Sequence, residues 1–123
     1  MNQGLLFFGY TKLEAEKIHS SISNNLNKEL FKKSASGKEN ESIEQLLKSS
    51  SDQYGEENPK ILMFVSLDDN DIQTSIKSFP ETLPRPIFCC LTPHNVSWPF
   101  HQLKDHLLEE QAYWQKQKSQ QKQ

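Results

Sequence analysis

Three short apolar runs constrain this fold more than any other feature of the chain. Leu5–Phe8 (LLFF), Ile61–Val65 (ILMFV) and Ile87–Leu91 (IFCCL) contain no charged residue. Each is too short for a helix, and none alternates with polar residues as a half-exposed strand does. Uninterrupted apolar strands belong to a sheet covered on both faces. Every run is followed by turn or cap residues and then by apolar residues at helical spacing, which supplies the cover.

After the first run come Gly9 and then Thr11 with Glu14, the spacing of a capping box. Ala15, Ile18, Ile22 and Leu26 follow as one stripe, and the helix is expected to fail near Asn24-Asn25. Leu30 and Phe31 suggest a weaker strand over 29–34. A polar stretch then holds a short helix with Ile43, Leu46 and Leu47, capped by Asn40, and a linker over 51–59 ends at Pro59. Beyond the second run, Asp68 with Asp71 opens a helix containing Ile72, Ile76 and Phe79, which Pro80, Pro84 and Pro86 stop. Beyond the third run, Ser97 caps a long helix from Trp98 to Lys116. Its expected inner stripe is Phe100, Leu103, Leu107 and Trp114.

The order is β-α-β-α-β-α-β-α, and the halves match. A shift of 57 places lays Leu5 on Leu62, Phe7 on Phe64, Thr11 on Asp68, Glu14 on Asp71, Phe31 on Phe88, Asn40 on Ser97 and Leu46 on Leu103. The unbroken register of caps and strands carries more weight here than the few identities do. The expected fold is α/β, with duplicated βαβα halves at about 4–51 and 61–108. Its sheet is four-stranded and mainly parallel, in the order 2-1-3-4, and all four strands parallel is the favoured case. The rival is a ferredoxin-like α+β sheet in which the second strand turns straight back into the third. Residues 1–116 read as one domain and 117–123 as a disordered polar tail.

Composition excludes several function classes. A net charge of −2 and a pI near 6.1 leave no basic face for nucleic acid. Lys116, Lys118 and Lys122 are too sparse to read as a nucleic-acid arm. No apolar stretch is long enough for a membrane span or a signal peptide, and Cys89-Cys90 is the only pair of cysteines. Adjacent strand residues face opposite ways, so these two make neither a disulfide nor half of a zinc site with His94 and His101. The expectation is a cytoplasmic protein without metal or cofactor.

The candidate ligand-binding residues are Thr11, Asp68, Thr92, His94, Asn95 and Trp98. In open parallel sheets ligands sit off the carboxyl ends of strands. Thr92-Pro93-His94-Asn95 lies between a strand and a helix and offers groups for a small anion, or else it is a self-bonded turn. Trp98 can stack on a ligand or anchor the helix start. Asp68, Asp69 and Asp71 suit Mg²⁺, yet acids in a first helical turn are also what capping selects. The chain has no phosphate-binding loop, dinucleotide fingerprint or nucleophile elbow.

The segments ILMFVSLDDNDIQTSI and PRPIFCCLTPHNVSWPFHQLKDHLLEEQ resemble a bacterial family known as domain of unknown function 3783. The specific positions are Leu91, Thr92, Pro93, Asn95, Trp98, Leu103, Leu107, Glu109 and Glu110. The opening LLFFGYTKLEAEKI is similar to the start of that family, and Pro99 departs from its pattern. The resemblance implies a shared fold and no activity. The leading expectation is therefore a non-catalytic protein-interaction or regulatory module. It would dock a protein partner or a second copy through the C-terminal helix, whose far side keeps Leu108, Ala112 and Tyr113. The alternative is a small-ligand-binding protein or enzyme acting at the strand-end edge near Thr92 and Asn95.

Overall fold

The computed structural model describes residues 2–49 and 52–121, with side chains described up to Lys116. Its elements alternate: β1 (Gly4–Phe8), α1 (Lys12–Leu26), β2 (Phe31–Ser34), α2 (Ile43–Lys48), β3 (Ile61–Val65), α3 (Asp69–Lys77), β4 (Ile87–Cys90) and α4 (Phe100–Gln121). The strands form one sheet in the order β2-β1-β3-β4. β1 pairs with β2, and β3 with β4, in parallel, while the central pair β1 and β3 runs antiparallel.

The α/β class and the strand order are as the sequence implies, and the sheet is mixed but mostly parallel. The central pair corrects the favoured case of four parallel strands. The ferredoxin-like rival is excluded, because β1 separates β2 from β3. Each half is a parallel βαβ unit, and the two units meet head to tail through their first strands.

That meeting follows an approximate two-fold axis. Leu6 faces Met63, its equivalent at the 57-residue shift, and Gly4↔Val65, Leu5↔Phe64, Phe7↔Leu62 and Phe8↔Ile61 flank it symmetrically. A second crossing repeats the relation. Ser42 and Pro99, also 57 apart, form an isolated antiparallel bridge. Ile43 N donates to Trp98 O (2.9 Å) and Phe100 N to Glu41 O (3.0 Å). Glu44 N donates to Val96 O and His101 N to Glu39 O, both at 2.9 Å. At such a bridge the paired residues themselves exchange no hydrogen bond, so the missing N–H of Pro99 leaves nothing unsatisfied.

The crossing moves two helix starts from their expected places. α2 is capped by Ser42, whose hydroxyl accepts from Gln45 N in a capping box, and not by Asn40. α4 begins at Phe100, after the bridge, and not at Trp98 behind a Ser97 cap. It runs to Gln121. The halves are not identical. α1 has 15 residues to the 9 of α3, and α2 has 6 to the 22 of α4. β4 is paired one residue out of the shift, with Ile61 on Ile87 where Gly4 sits on Phe31.

Alternation along the central strands sends side chains to two cores. Leu5, Phe7, Leu62 and Phe64 pack with Ala15, Ile18 and Ile22 of α1 and with Phe79, beneath α1 and α3. Leu6, Phe8, Met63 and Val65 pack with Ile43 and Leu46 of α2 and with Phe100, Leu103 and Leu107 of α4. Burying each Leu, Ile or Phe this completely stabilises the fold by about 1.5–3 kcal/mol. Gly9 closes β1 at φ +91°, and a Cβ there would lie 2.6 Å from Glu57 O, so the returning linker crosses where only glycine fits. Lys60, nearly buried beside it, donates to Gly9 O (3.0 Å) and Glu57 O (3.2 Å). None of the helices among the described residues is both long and apolar enough to cross a membrane.

Candidate functional site

The antiparallel central pair splits the predicted edge in two. Asp68 and Thr92 follow the carboxyl ends of β3 and β4 and share one end of the sheet. Thr11 follows β1 and lies at the opposite end, about a strand length of 17 Å away.

Thr11 is wholly engaged in its cap. Its hydroxyl accepts from Glu14 N (3.2 Å) and donates to Glu14 Oε1 (3.1 Å), while Thr11 N donates to the same carboxylate (2.9 Å). Asp68 Oδ1 accepts from Asp71 N at 2.8 Å and caps α3. The Asp71 carboxylate meets Lys28 Nζ at 2.5 Å, a bond that holds the lysine above its usual pKa. Two of the three acids proposed for Mg²⁺ are thus occupied, and the described residues contain no metal-binding group of three such ligands.

Residues 92–95 close on themselves. Thr92 N donates to Asn95 Oδ1 (2.9 Å), Asn95 N donates to Thr92 Oγ1 (3.1 Å), and Asn95 Nδ2 donates to Cys90 O (3.1 Å). Asn95 is buried, so this latch ties the end of β4 to the start of the turn. Thr92 N, Asn95 N and the Cys90 carbonyl are thereby satisfied within the turn. Trp98 is half-buried, edge-on to His106 with ring centroids 5.5 Å apart. His106 Nε2 lies 3.5 Å from Glu110. Thr92, His94, Asn95 and Trp98 do share one feature, a cleft of about 350 Å³ between α4 and the outer edge of β4, floored by Phe88, Cys89, Leu103 and Leu107. Thr11 and Asp68 take no part in it.

The cysteines divide between the faces, Cys89 toward α4 and Cys90 toward α3. Both are free and half-buried. Burial, and secondarily the neighbouring Cys90, pushes the Cys89 thiol up to about 12. Burial and Asp69 raise Cys90. Neither is poised as a nucleophile. His19 Nε2 lies 2.6 Å from Leu30 O, so the proton sits on that nitrogen, and the nitrogen cannot also accept from Ser23, 3.5 Å away.

One feature escaped the sequence reading. A cavity of about 490 Å³ opens between α2 and the ends of β3 and β4, lined by Phe31, Leu47, Val65, Leu91 and Val96 with Lys33, Lys48, Glu44 and Asn2. Its residues come from five places in the chain. No local spacing announces it, since Phe31, Leu47, Val65 and Leu91 read as strand or helix core and Val96 as loop.

The fold and these sites define an α/β protein of two βαβ units joined about a two-fold axis. Within it, residues 60–114 match the family model described as Domain of unknown function (DUF3783). The match spans β3 through most of α4, the second of the two units, and bears out the resemblance of the two segments there; the opening LLFFGYTKLEAEKI lies outside it. No curated protein and no solved structure gives a match.

Proposed function

We propose that this chain is a non-catalytic interaction or regulatory module that docks a protein partner, or a second copy of itself, through the outer part of α4. One observation carries the reading. α4 makes its last core contact at Leu107 and then continues to Gln121, with Leu108, Tyr113 and Trp114 exposed. Trp114, 60% exposed, continues the Leu103–Leu107 stripe beyond the sheet that the stripe covers. An isolated helical extension of this length is marginal in water, and packing against another surface is what stabilises such helices. Thr11, Asp68, Thr92 and Asn95 support the same reading, because each makes a hydrogen bond in a cap or turn.

We place the protein in the cytoplasm, where two free thiols persist without pairing, and infer that it acts without a cofactor. A photo-crosslinking amino acid at position 114 tests the docking surface. The reading expects crosslinks to a discrete partner or to a second copy, lost with Tyr113→Glu. Crosslinking no different from that of an exposed control position on α1 would overturn it.

A further inference from the structure

We propose that the cavity beside α2 binds a small amphipathic anion, an acyl or aryl chain ending in a carboxylate. At about 490 Å³ it lies within the range of small-ligand sites, about 300–1,000 Å³. Phe31, Leu47, Leu91 and Val96 are each only half-buried, beside a core whose central residues Leu6, Phe8, Met63 and Val65 are covered. The two-fold relation explains the opening. In the second half α4 carries Leu107 down onto the sheet. In the first half α2 ends at Lys48. The cavity occupies the room that another helical turn would fill, at a place where both halves contribute walls.

The charge at this site selects the ligand. Lys33 and Lys48 line the cavity with a single acid, Glu44, which holds Lys48 at 3.3 Å. Lys33 Nζ donates to Ser49 O, and an ammonium group has three N–H donors, so two are left for a carboxylate. A ligand with an apolar body and one negative end satisfies both the walls and the net positive charge. A cationic amphiphile would meet that charge with the wrong sign. This inference does not depend on α4.

The probe is decanoate below its micellar concentration, titrated calorimetrically into the full chain, with decan-1-ol and decyltrimethylammonium as controls. The expected result is one saturable site for decanoate. Decanol should bind at least about fivefold more weakly and the ammonium compound still less, since the charge-assisted bond is the stronger kind. Lys33→Gln with Lys48→Gln should weaken decanoate about tenfold and leave decanol unchanged. Val96→Trp, or Leu47→Trp if the first variant unfolds by circular dichroism, should fill the space and abolish both. The proposal is overturned by no saturable binding to the wild type, by equal binding of the cationic amphiphile, or by tryptophan variants that bind as well as the wild type. It is also overturned if ultracentrifugation shows that a second copy of the chain, and not the fatty anion, occupies the surface.

Discussion

Asn95 does with one side chain what a ligand site would need several to do. Its amide oxygen takes Thr92 N, its amide nitrogen serves Cys90 O, and its own backbone N–H is held by Thr92 Oγ1. Asn95→Ala strands two backbone groups at a buried corner, and such losses cost about 1–3 kcal/mol. A melting curve should therefore show a clear drop, whereas His94→Ala, at an exposed position, should leave the midpoint where it was. Equal effects from the two variants would mean that the turn is not the latch described. This turn was legible in the sequence because its chemistry is local: threonine, proline and asparagine at fixed offsets specify a self-bonded loop. Cys89 carries a second residue-scale prediction. Its pKa of about 12 against an ordinary 9.0 leaves about one thiol in ten thousand ionised at pH 8, where a free thiol has about one in ten. Iodoacetamide should label it far more slowly in the folded chain than in urea, and rapid labelling without denaturant would refute the assignment. The folded state holds this proton more tightly than the unfolded state does. The associated stability is thus present below pH 9 and falls as pH rises from about 9 toward 12.

Helix α4 has two parts with different physics. Phe100, Leu103 and Leu107 are buried against the sheet, and beyond them the residues through Lys116 are exposed. Leu103, 2% exposed, should cost about 2–5 kcal/mol when replaced by alanine. Trp114→Ala should change the stability of the isolated protein by no more than about 0.5 kcal/mol. Chemical denaturation of the two variants separates the parts, and a large loss with Trp114→Ala would mean that the outer helix folds back on the body. Periodicity alone put Trp114 in the inner stripe. It has the right spacing, but the sheet it would cover has ended, and no helical wheel records where the neighbouring layer stops. The helix starts were misread for a related reason. Asn40 and Ser97 are good caps by composition, yet both lie in turns, and the tertiary hydrogen bonds that pair Ser42 with Pro99 delay the helices to 43 and 100. Where capping is local, as at Thr11 and Asp68, the sequence placed it correctly.

Strand direction is a property of the whole molecule, and the repeat contained it in a form that is hard to read. A constant shift of 57 says that two halves are alike and nothing about how they are turned. They meet through β1 and β3, both fully apolar and buried. Antiparallel pairing of like strands places Leu6 on Met63 and keeps both sets of helices on matching faces. The same axis runs through Ser42 and Pro99, and that pair permits a direct test. They occupy a bridge whose hydrogen bonds run between their neighbours, the kind with Cα atoms about 4.5 Å apart, within the span a disulfide accepts. In a chain with Cys89 and Cys90 replaced by alanine, Ser42→Cys with Pro99→Cys should oxidise to an intramolecular disulfide. Closing a loop of this length should stabilise the fold by about 4 kcal/mol in the chain-entropy account. The readouts are the loss of two titratable thiols and a higher melting temperature that reverts on reduction. Neither position lies in the cavity beside α2 or on the outer part of α4. The crosslink therefore locks the two halves together and leaves both proposed surfaces open. If the two-fold arrangement is right, the locked protein should bind decanoate and crosslink through position 114 as the unlocked one does. If the halves are turned otherwise, residues 42 and 99 lie too far apart, and only intermolecular disulfides will form.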